Sequence, residues 1–148
     1  MSAEENKALV CSYIEEVWAK KNLAALDEFL AVNYQRHTSP NTRPLNREGQ
    51  KQRLAGIHTA FPDITLTLEE IFAEGDRVAF RSTIRGIHQN IFQGIPSTGR
   101  HVTVSLVDIV RVEDSKIVEH WGGPDFLDWL QQLGAVVSVH QKQSPKNE

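Results

Sequence analysis

The chain has 148 residues, 40% apolar and 24% charged, and its 16 basic and 19 acidic side chains leave a formal net charge of −3. A chain of this length buries roughly 68–70% of its extended surface, which supports one core. Charges of both signs are interspersed, so there is no broad basic surface for nucleic acid, and no apolar run approaches the roughly 20 residues of a membrane-spanning helix.

The opening run, MSAEENKALV, has acidic residues where a secretory signal would be basic, which predicts a cytoplasmic location. Ser2 followed three residues later by Glu5 is a capping box. Val10, Tyr13, Ile14, Val17 and Trp18 then recur at helical spacing, predicting a helix from about Ala3 to Lys20. The single cysteine, Cys11, falls inside it and is expected to be a small buried residue. Asn22 caps a second short helix carrying Leu23, Leu26, Phe29 and Leu30, and Tyr34 to Pro40 reads as a short extended piece. Asn46 caps a third helix with Leu54, Ile57 and Phe61 on one face, stopped by Pro62.

Beyond Pro62 the apolar period changes to two. Ile64, Leu66 and Leu68 alternate with polar residues, then the phase slips to Ile71 and Ala73, as a bulge would produce. Gly75-Asp76 turns into a strand from Arg77 to His88; a loop follows, and a long strand runs from His101 to Val112. The chain turns at Glu113 to Ser115 and returns through Lys116 to Trp121. Asp125 opens a last helix that Gly134 ends. The order, three helices then about four antiparallel strands then a closing helix, is α+β: helices on one face of a strongly bent sheet enclose a cone with an internal cavity. One domain is expected over residues 1–135, with a polar tail over 136–148.

Several residues qualify for a site. Asp125 is a favoured N-cap and also a carboxylate beside Trp121 and Phe126. His120 and Trp121 are neighbours on a strand, so alternation sends them to opposite faces. With no second ligand at metal spacing, no metal site is expected at His120. Asp108 is the one carboxylate on the apolar face of its strand and requires a partner, for which Arg81 or Arg85 is expected, or a proton. Tyr13, Trp18, Tyr34, Phe61, Phe92 and Trp121 are core residues that become walls wherever a cavity opens.

The runs FPDI (61–64), EGDRVAFR (74–81), GIHQNIFQGIPSTGR (86–100), KIVEHW (116–121) and QQLG (131–134) together resemble the SnoaL-like polyketide cyclase family, within the nuclear-transport-factor-2-like, ketosteroid-isomerase-like superfamily. The resemblance implies a cone fold and a hydrophobic, oxygenated small-molecule ligand. It also implies a homodimer through the outer sheet face, and an intramolecular aldol closure without a cofactor. It makes Asp125 the acid or base, with His37 and His120 as catalytic neighbours and His88 among the substrate-binding residues. A non-catalytic binding or dimerisation module of the same fold is the alternative. Many relatives also carry an acidic residue directly after the tryptophan, where this chain has Gly122. The limonene-epoxide hydrolases resemble the stretch from STGR through KI, but the positions of their reactive residues are Gln89, Ile91 and Gly122 here, which disfavours epoxide hydrolysis.

Overall fold

The computed structural model describes residues 2–135; the expected polar tail at 136–148 lies outside them. Helix α1 (Ala3–Ile14) starts on the capping box. Ser2 Oγ accepts from the Glu5 N–H at 3.1 Å, and the Glu5 carboxylate accepts from the Ser2 N–H at 2.8 Å. Its last stretch widens into a π-helix (Glu15–Ala19), in which Lys20 N–H donates to Glu15 O at 2.9 Å, and both Val17 and Trp18 turn into the core. Cys11 is exposed, contrary to the expected burial, because it falls on the solvent side of the helix whose inner face is Val10, Tyr13 and Ile14.

A 3₁₀ turn (Leu23–Ala25) leads into helix α2 (Leu26–Phe29), which ends where strand β1 (Leu30–His37) begins. The expected second helix is therefore shorter, and the expected extended piece longer. The cause is tertiary: β1 pairs in parallel with the strand that returns late in the chain, and that ladder overrides the helical spacing at Leu30. Helix α3 (Arg47–Ala60) begins with Asn46 Oδ1 accepting from Gly49 N–H at 2.8 Å and buries Gln50, Leu54, Ile57 and Ala60.

Strands β2 (Thr65–Glu74), β3 (Arg77–Ile87), β4 (His101–Glu113) and β5 (Lys116–Pro124) form an antiparallel meander, and the sheet order is β1-β5-β4-β3-β2. The sheet is thus mixed and five-stranded, not a purely antiparallel set of about four. The phase slip in β2 is a register shift between Leu68 and Glu70. Helix α4 (Phe126–Gln132) closes the cone by burying Trp129. The inward faces of β3 and β4, Val78, Phe80 and Ile84 with Val102, Val104, Leu106 and Val110, pack with Tyr13, Leu26, Leu54 and Phe61 into one core. No helix among the described residues is long and apolar enough to cross a membrane.

The reciprocal cap at Ser2 is exposed and short, so its contribution is measurable in isolation. Ser2→Ala is expected to lower stability by about 1 kcal/mol, read as a shift of the urea midpoint at unchanged slope.

Candidate functional site

Strict alternation along β4 puts Asp108 on the inner face between Leu106 and Val110, in a row of otherwise apolar side chains. Its partner is not Arg81 or Arg85. Those side chains occupy the outer face, where Arg81 pairs with Glu70 at 2.7 Å. Asp108 Oδ1 instead accepts from His120 Nε2 at 2.7 Å. On β5, His120 sits opposite Val110 and Gly122 sits opposite Asp108. The parallel pairing of β1 with β5 then sets Arg36 directly across from His120, with Tyr34 on the same inner face. The Tyr34 hydroxyl lies 3.1 Å from His120 Nδ1, and Arg36 Nη1 lies 3.0–3.1 Å from the two ring nitrogens. Arg36, Asp108 and His120 are 3%, 4% and 5% exposed.

These contacts select one tautomer. A carboxylate oxygen facing Nε2 requires a proton there, so Nδ1 is the acceptor for the Tyr34 hydroxyl, while the Arg36 guanidinium lies against both ring nitrogens. Burial pushes the His120 imidazole below its ordinary value, and the neighbouring Asp108 opposes that shift. Burial raises the Tyr34 phenol well above its ordinary value, so it stays protonated.

Arg36 is seated by two glycines. Its Nη2 donates to Gly122 O at 2.7 Å. Gly122 has φ +87°, and a Cβ there would lie 2.2 Å from Val107 O; at Gly123, φ is +136° and a Cβ would meet Arg36 Nη2 at 2.3 Å. No side chain, acidic or otherwise, fits at either position without moving the strand or the guanidinium.

The cluster faces a chamber of about 20 Å³ bounded by Tyr13, Gln50, Arg53 and Phe80, room for about one water. Beside it lies an open cleft of about 510 Å³ between α3, the loop at Ile91–Gln93 and the start of α4. Ile57, Ile91, Phe92, Pro124, Phe126 and Trp129 make its walls apolar, and Arg53 borders both spaces.

The expected site residues divide between these regions. Tyr13 and Trp18 line the chamber, Tyr34 and His120 belong to the buried cluster, and Phe92 lines the cleft. Phe61 is core, stacked on the fully buried His88, whose Nδ1 is within 2.9 Å of Thr98 Oγ1. His37 and Trp121 lie on the outer face, with stacked rings 5.3 Å apart, and His37 Nε2 is 3.0 Å from Glu119. Asp125 is exposed and caps α4, its Oδ1 accepting from Asp128 N–H at 3.1 Å. The chain therefore brings His120 together with Asp108, not with His37 or Asp125. Arg36, Arg53 and Gln50 were not candidates from the sequence. Arg36 carried a signal, since it alternates with Tyr34 in YQRH, but Arg53 and Gln50 carried none until α3 was placed over the sheet.

His58 on α3 could face solvent or the core by its place in the sequence, and in the fold both of its ring nitrogens are buried. It stacks on Trp18 at 5.3 Å, neither nitrogen has a partner among the described residues, and burial pushes its pKa down to about 4 from 6.5. A histidine with a depressed folded value binds more protons when unfolded, so stability rises with pH through that window. Lowering the pH from about 6.5 toward 4 is expected to destabilise the fold. His58→Gln should flatten that dependence in denaturation curves recorded at several pH values.

A family model described as SnoaL-like polyketide cyclase matches residues 8–133. The aklanonic acid methyl ester cyclase DnrD of Streptomyces peucetius is 36% identical over 69 residues, 45% of this chain and 48% of that protein, so the match spans about half of the relative. Among solved structures, AclR of Streptomyces galilaeus, provisionally a hydroxylase, superposes with a TM-score of 0.82 at 32% identity, covering 92% of this chain and all, 100%, of its own. IdmH of Streptomyces antibioticus, provisionally a polyketide cyclase, gives a TM-score of 0.75 at 32% identity over 87% of this chain and 98% of its own. With a family match running from the first helix to the last, the chain belongs to the SnoaL-like polyketide cyclase family.

Proposed function

We propose that the protein closes a ring in a hydrophobic, oxygenated small molecule by an intramolecular aldol-type reaction, with Asp108 as the acid–base group in place of Asp125. The observation that carries this reading is the 2.7 Å contact between Asp108 and His120 in a chamber that adjoins an apolar cleft. His120 holds Oδ1, while Oδ2 receives no hydrogen bond from the described residues, which leaves one carboxylate oxygen free to take a proton. In this reading the substrate's ring system lies in the cleft and its reacting end passes Arg53 to the chamber. Asp108 removes a proton from the carbon between two carbonyls. The resulting carbanion attacks a second carbonyl of the same molecule, forming the carbon–carbon bond, and Asp108 returns the proton to the new alkoxide oxygen. Tyr13 lines the chamber and is kept protonated by burial, so its hydroxyl can donate to the enolate oxygen as charge develops there.

Aklanonic acid methyl ester is the first substrate to test, since related cyclases take their name from it. Asp108→Asn is expected to cut turnover by about 10²–10⁴-fold, with the folded state checked by its thermal midpoint. Asp125→Asn, which preserves a good cap, is expected to leave turnover unchanged. The opposite pattern would return the role to Asp125. Tight binding without turnover by the wild type, across a panel of such esters, would favour a non-catalytic binding module.

A second copy of the chain is proposed as the partner of the outer sheet face. Phe72, Ala79, Ile109 and Trp121 are successive cross-strand neighbours on β2, β3, β4 and β5, forming an apolar row over four strands. Phe72 and Val107 are 61% and 57% exposed on that face. Equilibrium sedimentation is expected to show a dimer, and Ile109→Glu, a charge in the middle of the row, is expected to yield the monomer.

A further inference from the structure

We infer that Arg53 takes the enolate oxygen of the substrate, beside Tyr13, as Asp108 removes the proton. This deepens the proposed function and rests on the reading that Asp108 is the acid–base group and that the rings lie in the cleft.

Gln52, Arg53 and Gln93 are the polar side chains on the cleft wall, and of these only Arg53 also lines the chamber that holds Asp108 and Tyr13. A reacting end that travels from one space to the other passes its guanidinium. Gly123 marks where that group lies. A Cβ built there would clash with Arg36 Nη2 and lie 3.9 Å from Arg53 Nη2, so both guanidiniums sit by the bare Cα of Gly123 near the end of β5. Arg36 is committed to Gly122 O and to the ring of His120. Arg53 is half-buried, and among the described residues no carboxylate lies within ion-pair distance of it and no acceptor takes a hydrogen bond from it. Its fork of donors is open to a molecule that arrives from the cleft.

The charged groups that act on His120 are Asp108, Arg36 and Arg53, and burial keeps the imidazole itself neutral, so two positive charges face one negative. Burial and the like charge of Arg36 bring the pKa of Arg53 down to about 10, which leaves it charged at neutral pH. The excess positive charge does not call for a charged ligand. When Asp108 takes the proton its carboxyl becomes neutral, and the same negative charge appears on the enolate oxygen. The sum is unchanged, while the negative charge moves away from the group held by His120 toward the side where Arg53 lies. A neutral ester fits this arrangement, because the charge-assisted hydrogen bond from Arg53 is made only once the proton has left, and such a contact speeds the step instead of tightening substrate binding. Tyr13 gives the second hydrogen bond to the same oxygen.

The test uses 2-hydroxyanthraquinone, a flat phenol that cannot cyclise and that changes colour when it ionises to an oxyanion conjugated like an enolate. On the full-length wild type the midpoint of that colour change is expected about 1–3 pH units lower for the bound dye than for the free dye, the effect of an opposite charge within a few ångström. Arg53→Gln is expected to raise the midpoint by about 1 pH unit or more, and Arg53→Lys to fall between the two, while affinity for the neutral dye stays the same. With the methyl ester as substrate, Arg53→Gln is expected to cut kcat by about 10²–10³-fold at nearly constant KM. A wild-type midpoint equal to or above that of the free dye, a midpoint unmoved in Arg53→Gln, or a rise in KM at constant kcat would each overturn the assignment to Arg53; loss of turnover in Asp108→Asn would then leave the proposed function standing. Full turnover in Asp108→Asn, or failure of the dye to bind, would overturn the inference together with the reading on which it rests. The comparison of bound and free dye on the wild type stands alone should an Arg53 variant fail to fold.

Discussion

A carboxylate on the inner face of an apolar cone has to be satisfied, and the contact between Asp108 and His120 at 2.7 Å is how this chain does it. Much of the unusual geometry follows from that need. An imidazole that donates from Nε2 must accept at Nδ1, which calls for a donor there, and Tyr34 on β1 supplies it, with Arg36 of the same strand close to both ring nitrogens. They can face His120 only if β1 lies beside β5, and that pairing is the one parallel ladder among the described residues. Arg36 in turn needs room beside β5 and an acceptor for its second nitrogen, and Gly122 and Gly123 supply both. A chain of requirements thus runs from one buried acid through three strands to a pair of glycines in left-handed backbone. Breaking such a buried pair on one side costs about 3–5 kcal/mol, a large share of a domain's stability, so the cluster is structural whatever else it does.

Much of this was readable beforehand where the controlling interactions are local. The capping box at Ser2, the cap at Asn46, the phase slip after Leu68 and the inward alternation of β3 and β4 all rest on neighbours within a few residues, and each is where the pattern puts it. Asp108 stood out for the same reason, as the single charge on an apolar face. Its partner did not. Arg81 and Arg85 are close in the sheet but face outward, and the actual partner comes from a strand whose register the sequence does not print. Arg36 is 84 positions from His120, and the stretch that carries it follows residues spaced like a helix. Parallel pairing between distant segments leaves almost no local trace.

Asp125 and Gly122 show how a family pattern shifts when its geometry is followed. A carboxylate before an apolar helix satisfies both the cap and the acid–base description in one dimension. In three dimensions its oxygen is held by the amide of Asp128 and its side chain is in solvent. Gly122 reads in sequence as a lost carboxylate; in the fold it is a residue whose missing Cβ lets Val107 O approach and whose own carbonyl accepts from Arg36. The buried carboxylate of this fold is on the strand beside β5, at Asp108, and not at the end of β5.

The buried cluster and the space for a molecule are adjacent but not continuous. The chamber at Asp108 holds about 20 Å³, against about 510 Å³ in the cleft, and Arg53 borders both. A ring system cannot enter the chamber while Arg53 keeps its position, and Asp108 cannot reach a molecule that stays in the cleft. Arg53 sits on a long flexible stem and, among the described residues, is fixed by no hydrogen bond, so its displacement breaks none. Arg36, by contrast, is tied to β5 through Gly122 O, and moving it would disturb the His120 tautomer. Of the two guanidiniums, one is built to stay and one is free to turn toward whatever occupies the cleft. Related folds that are provisionally a hydroxylase and a cyclase share the same frame, so it is this local division of labour, more than the cone, that would decide the chemistry.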